Sequence, residues 1–158
     1  MTQRGSALNF RDFVAELLAT GDAVDIRVPV SPTLEAGAVT RRVYDTRSPA
    51  PLFGDLTEGT PGFRILGAPA GLSGVPGETY GRLAAHFGLP RDTTPRDLLE
   101  KLISAMNARP VPPRIVPTGP CKENILTGDD VDLTRFPVPL LHEQDGGRYF
   151  GTYGFHVV

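Results

Sequence analysis

Residues 110–120 hold five prolines in eleven positions, and this density limits the possible folds more than any other feature. Each proline fixes φ and removes a backbone donor, so neither a helix interior nor a central strand survives there. The stretch reads as an extended, polyproline-like connection that divides the sequence. The expected organisation is a small α/β (α+β) domain over 1–109, a Pro-rich linker and extended segment over 110–148, and a β-rich beginning of a further unit over 149–158. Leu, Ile, Val and Phe supply 43 of the 158 residues, enough for a buried core. The 18 glycines and 16 prolines predict many loops around it.

Asn9 is placed to cap a helix whose apolar residues Phe10, Phe13, Val14, Leu17 and Leu18 share one face, with Gly21 as its stop. Val24, Ile26 and Val28 alternate with Asp25 and Arg27 and predict a half-buried strand. Ser31-Pro32 reads as the start of a second helix running to about Asp45, with Leu34, Ala38, Val39 and Val43 inward and Arg41-Arg42 toward solvent. Leu52-Phe53 and Phe63 to Leu66 read as two strands around a polar turn, and Gly67 to Gly77 as a loop. Tyr80, Leu83, Ala84 and Phe87 form a helical stripe that Gly88 ends. Thr94-Pro95-Arg96-Asp97 joins a capping threonine, a first-turn proline and an acid, and starts a helix expected to bury Leu98, Leu99, Leu102, Ile103 and Met106. His142 to Gly147 reads as a polar turn, and Tyr149 to Val158 as a strand-like end. A strand that closes on Val157-Val158 predicts that the biological protein continues.

The net charge of −2, with both signs interleaved, gives no basic footprint, so nucleic acid is not an expected partner. The apolar runs are far shorter than the roughly 20 residues that span a bilayer, so no membrane association is expected. Met1 to Ser6 has no apolar core of a secretory signal. The single cysteine, Cys121, makes no internal disulfide and fits a reducing, cytoplasmic setting.

Chemistry is sparse. His86, His142 and His156 have no Cys, Asp or Glu at zinc-ligand spacing, so no metal residues are assigned. His86 reads as a surface or rim histidine. His156 reads as a sheet-face histidine held by a neighbour, with a pocket-facing role as the other reading. Cys121 reads as a small buried cysteine rather than a nucleophile, although Lys122 beside it would depress its pKa. Gly67-Ala68-Pro69-Ala70-Gly71 lacks both nucleotide-binding glycine patterns and reads as a loop. Asp129, Asp130 and Asp132 lack the rest of a calcium loop and read as a solvated acidic turn. Gly146-Gly147 and Gly151-Thr152-Tyr153-Gly154 would let backbone approach a ligand closely, the other reading being a bulged strand. No catalytic residue is assigned in this chain.

Taken as strings, several segments carry more. Leu8-Asn9-Phe10-Arg11-Asp12-Phe13, Glu35-Ala36-Gly37-Ala38-Val39-Thr40-Arg41-Arg42-Val43, Ala50-Pro51-Leu52-Phe53, Phe63-Arg64-Ile65-Leu66-Gly67-Ala68-Pro69 and Tyr80-Gly81-Arg82-Leu83-Ala84 occur in that order. Ile115-Val116-Pro117-Thr118-Gly119-Pro120-Cys121-Lys122-Glu123-Asn124 follows, then Phe136-Pro137-Val138-Pro139-Leu140-Leu141-His142, Asp145-Gly146-Gly147 and Thr152-Tyr153-Gly154. Together they resemble the UbiD family of decarboxylases over nearly the whole chain, and within it the ferulic (cinnamic-type) acid decarboxylases.

The resemblance implies the N-terminal part of a reversible decarboxylase of aromatic or α,β-unsaturated acids. It implies prenylated FMN, a divalent metal (Mn2+ or Mg2+) and K+ as cofactors of the parent protein, with none expected on the isolated piece. The cofactor would carry the chemistry, and the protein would supply binding and orientation. The family's Glu–Arg–Glu network and metal ligands fall beyond this sequence. Thr152 alone is carried over, as a cofactor-binding residue beside the flavin. The last residues would be the first strand of a split β-barrel that binds the flavin. The implied partners are a small aromatic or unsaturated acid, the remainder of the same polypeptide, and further copies in a homodimer or higher homo-oligomer. A non-catalytic N-domain that serves assembly or partner binding is the alternative.

Overall fold

In the computed structural model, which describes residues 9–149, Asn9 caps the first helix. Its side-chain oxygen accepts from the Asp12 amide at 3.0 Å, closing one of the orphan donors of the first turn. Helix α1 spans Phe10–Ala19 and buries Phe13, Val14 and Leu17. Strand β1 is Ala23–Ile26, helix α2 Glu35–Thr46, strand β2 Ala50–Phe53 and strand β3 Ile65–Leu66. Helices α3 (Gly81–His86) and α4 (Pro95–Met106) follow. Three short 3-10 turns come next, at Pro120–Lys122, Gly128–Asp130 and Leu133–Arg135. The expectations for Thr152, for His156 and for a first barrel strand up to Val158 lie outside the described residues.

The strands form one mixed sheet in the order β1-β2-β3. β1 and β2 run parallel from Ala23↔Ala50 to Ile26↔Phe53, as a strand–helix–strand crossover through α2 requires. β3 closes the other edge antiparallel, with Leu52↔Leu66 and Phe53↔Ile65. Side chains alternate across the pleat, so the two buried clusters occupy opposite faces. Ala23 and Ala50 meet Phe13, Leu17 and Ala85, with Leu66 packed against them. Phe53 meets Val30 and Ala36, with Ile26, Leu56 and Ile65 alongside. The sheet is thus sandwiched between α1 and α3 on one side and α2 on the other.

Pro51 sits in the middle strand, where a proline is normally excluded. It is tolerated because a strand residue points its nitrogen and its carbonyl to the same side. The Pro51 carbonyl faces β3 and accepts from the Gly67 amide at 2.8 Å. The missing donor therefore faces the two-residue strand and spares the ladder to β1. Gly67 makes this approach possible, since a Cβ there would lie 2.4 Å from Thr40 Oγ1 and 2.9 Å from Pro51 Cγ.

Five expectations are corrected. The second helix begins at Glu35 rather than Ser31-Pro32, because Ser31 and Thr33 are drawn into other hydrogen bonds described below. On that helix Ala36 and Val43 are buried, while Ala38 and Val39 are exposed. In β1 Ala23 packs toward α1 and Ile26, as expected, toward Phe53 on the other face, while Val24 and, beyond the strand, Val28 are exposed. Helix α4 starts as expected, with the Asp97 amide donating to Thr94 Oγ1 at 3.2 Å. It buries only Leu98, however, and leaves Leu99 57%, Leu102 40%, Ile103 50% and Met106 86% exposed, because no described element covers that side. Cys121 is exposed rather than buried, on a 3-10 turn that packs on no core.

Candidate functional site

The Pro-rich connection does not separate its two sides in space. Beyond it, residues 135–148 return to the first domain and lie against residues 31–37 and 58–63. The Leu34 amide donates to the Leu140 carbonyl at 2.8 Å and the Leu140 amide to the Pro32 carbonyl at 3.0 Å, while the Thr60 amide donates to the Arg135 carbonyl at 3.2 Å. The rings of Phe63 and Phe136 meet edge to face at 5.3 Å, a favoured aromatic geometry. Gly37 is pressed against the returning segment so closely that a Cβ there would sit 2.7 Å from the Leu141 carbonyl oxygen.

Charge closes this seam. Arg148 donates to Glu58 Oε2 at 2.6 Å, to the Val138 carbonyl at 2.6 Å and to Thr33 Oγ1. Glu58 also accepts from Ser31 Oγ at 3.0 Å and Thr33 Oγ1 at 2.9 Å. The Thr33 and Ser31 hydroxyls, with Arg148, hold the Glu58 carboxyl below its ordinary value. A carboxylate favoured in this way adds stability that is complete above its ordinary value of 4.5 and is lost as pH falls through the lower folded value. Protection of the Leu140 amide, taken relative to its intrinsic exchange rate, should therefore fall in acid below that range, and Glu58→Gln should remove much of that acid dependence. An unchanged acid profile in the variant would remove Glu58 from the seam.

Leu34 lies at the centre of this grip with φ 67 and ψ −39. Its neighbours close a three-residue turn, the Glu35 amide donating to the Thr33 carbonyl at 2.8 Å. A γ-turn of this positive-φ kind is rare and strained for a residue with a side chain.

A second cluster is buried and ionic. Asp22 and Arg82 have side chains 1% and 0% exposed and meet at 2.7 Å. Arg82 also donates to the Ser48 carbonyl at 2.8 Å and the Ala68 carbonyl at 3.3 Å. Arg91 reaches the other Asp22 oxygen and Glu78, both at 2.6 Å. Burial pushes the Arg91 guanidinium down, and its bonds to Asp22 and Glu78 more than reverse that, so its pKa is raised. These charges join the α1–β1 turn, the loop before α3, α3 itself and the loop before α4. Sequence reasoning gave Arg82 no role, although the signal was present. Gly81, Ala84 and Ala85 are the other buried α3 residues, and their small size leaves room for an arginine to turn inward.

The singled-out residues do not converge. His86 is half-buried and stacks on Phe13 with ring centroids 4.0 Å apart, a rim position. His142 is exposed beside Asp145 at 3.4 Å, in the polar turn expected there. Asp129 and Asp130 lie on an exposed 3-10 turn, and the Asp132 carboxyl is lowered by the Thr134 hydroxyl and amide bonded to it. Among the described residues no three His, Cys, Asp or Glu side chains come together to hold a metal ion. A cleft of about 480 Å3 opens at the seam beside Pro32, Glu58, Leu133, Phe136 and Arg148. Among the described residues its one cation, Arg148, is already bonded to Glu58, Thr33 and Val138, which leaves it poorly placed for a flavin phosphate. The described residues thus do not by themselves fit a flavin or its metal. No described helix is long and apolar enough to cross a membrane.

Comparison with known proteins defines the class. Residues 14–102 match the 3-octaprenyl-4-hydroxybenzoate carboxy-lyase (UbiD) N-terminal domain, and residues 114–158 match the Rift-related domain of the same carboxy-lyases. The chain belongs to the UbiD family. It is 58% identical over 153 residues to pyrrole-2-carboxylic acid decarboxylase of Pseudomonas aeruginosa, covering 97% of this chain and 31% of that protein. It is 41% identical to ferulic acid decarboxylase of Candida dubliniensis, covering 96% of this chain and 31% of that protein. The fold resembles Sedimentibacter hydroxybenzoicus vanillic acid decarboxylase in its open form, with a TM-score of 0.72, 26% identity, and coverage of 88% of this chain and 29% of that one. The chain therefore spans about 31% of the length of these curated relatives.

Proposed function

We propose that the full-length protein is a reversible decarboxylase of aromatic, heteroaromatic or α,β-unsaturated carboxylic acids, and that these 158 residues are its catalytically silent N-terminal part. The observation that carries this reading is the 58% identity, over 97% of the chain, to a decarboxylase three times as long. Prenylated FMN, Mn2+ or Mg2+, and K+ are the proposed cofactors, held mainly by the remainder of the polypeptide, in a cytoplasmic homodimer or larger homo-oligomer. This chain's proposed contribution to the cofactor is Thr152.

Flavin retention tests the cofactor part. Full-length protein produced with a supply of prenylated FMN should carry flavin by absorbance and native mass spectrometry, and this chain alone should carry none. A full-length protein that takes up no flavin overturns the proposal. Thr152→Val in the full-length protein should weaken flavin retention about tenfold, as expected for one hydrogen bond, with the unfolding temperature little changed. Unchanged flavin occupancy removes Thr152 from the site. The exposed apolar side of α4 favours a second reading, an assembly module without catalysis, which predicts no CO2 release from any form of the protein.

A further inference from the structure

We propose that the surface formed by residues 31–37 and 58–63 is a docking platform for the returning segment 135–148. In this reading the seam, rather than the covalent Pro-rich connection, holds residues 135–148, within the Rift-related match, in place. The platform's occupant is thus the chain's own segment, and cutting the connection would leave it seated.

Three independent features point to a built interface. The first is directional bonding on both sides of Leu140, with amide–carbonyl distances of 2.8 and 3.0 Å, which fixes the register of the segment. The second is a close fit: Gly37 admits the Leu141 carbonyl where any Cβ would lie 2.7 Å from it, and Phe63 meets Phe136 edge to face. The third is the three-way grip of Arg148 on Glu58, Thr33 and Val138. Charge-assisted bonds of this kind are shorter and stronger than neutral ones. The strained turn at Leu34 is the point where the Leu34 amide reaches Leu140, and strain of that kind persists where surrounding contacts over-determine it.

The connection, by contrast, offers nothing to hold the segment. Its residues from Val111 to Pro117 are all exposed, and the 3-10 turns beyond bury no residue. It acts as a tether. A tether holds its two ends at an effective concentration set by its length and stiffness, which can mask moderate weakening of the seam in the intact chain.

The test therefore cuts the tether after folding. Val116 to Lys122 is replaced by a site-specific protease sequence, the folded chain is cleaved, and the product is run on size exclusion over a dilution series. The two pieces are expected to elute together at micromolar concentrations. Arg148→Met should weaken the cut complex about tenfold, and Gly37→Val should separate it. Both substitutions should leave the uncut chain's elution unchanged. Because Gly37→Val alters a tight contact, Arg148→Met serves as the variant that keeps the fold. Pieces that separate as soon as the tether is cut overturn the proposal. So does a cut complex that neither substitution weakens, because the holding contacts would then lie elsewhere. Neither result bears on whether the full-length protein decarboxylates.

Discussion

Arg82→Met is expected to destabilise the chain by about 3–5 kcal/mol, the usual cost of removing one partner from a buried ion pair. Arg82 is fully buried, and its guanidinium bonds Asp22, Ser48 and Ala68 at once. Methionine fills much of the volume but strands the Asp22 carboxylate on one side and takes the guanidinium donor from the Ser48 carbonyl, while the Ala68 carbonyl keeps the Gly71 amide. Arg91 still reaches Asp22 from the other oxygen, which keeps the loss from being larger. A domain's whole stability is about 5–15 kcal/mol, so the variant should show a sharply lowered urea midpoint. Arg96→Met is the contrast. Arg96 pairs with Glu100 on the surface of α4, with its side chain 86% exposed, and such pairs contribute about 0–1 kcal/mol. Equal midpoints for the two variants would show that the buried pair is not what ties α3 to the turn after α1.

Phe13→Ala should cost a similar amount, about 3–5 kcal/mol, as large-to-small changes of buried aromatic residues do. Phe13 is wholly buried among Leu17, Ala23, Ala50 and Ala85 and also carries the His86 ring. The neighbouring alanines are too small to collapse into the space a benzyl group leaves. Met106→Ala should change stability by less than about 0.5 kcal/mol, because Met106 meets solvent rather than a core. Thermal denaturation of the two variants side by side checks both values. A large loss at Met106 would mean that α4 has a buried partner after all.

How much of this was legible in the sequence follows the range of the forces involved. The caps at Asn9 and Thr94 are local: a side-chain oxygen and an amide three residues on, and both occur as expected. The three strands were legible from apolar runs and turn residues. That both faces of β1 are covered, Ala23 toward α1 and Ile26 toward Phe53, was not, because alternation along a strand does not tell what packs on each face. The α4 stripe was misread for a related reason. Its periodicity records a helix with an apolar side, and periodicity carries no information about what covers that side. Ser31-Pro32 has the composition of a helix start, but Ser31 and Thr33 bond Glu58, 27 and 25 residues away. The seam itself was invisible for the same reason, since Arg148 and Glu58 are 90 residues apart. The family resemblance, in contrast, rests on ordered strings that need no tertiary knowledge.

Release of CO2 tests the central claim most directly. Full-length protein loaded with prenylated FMN and Mn2+ should be incubated with cinnamic-type acids, hydroxybenzoic acids and pyrrole-2-carboxylic acid, beside the 158-residue chain at equal molarity. The expected result is enzymatic CO2 release from at least one acid by the full-length protein and none above background by the short chain. Release by the short chain would contradict its silence. Loaded full-length protein that releases CO2 from none of these acids would contradict the decarboxylase reading.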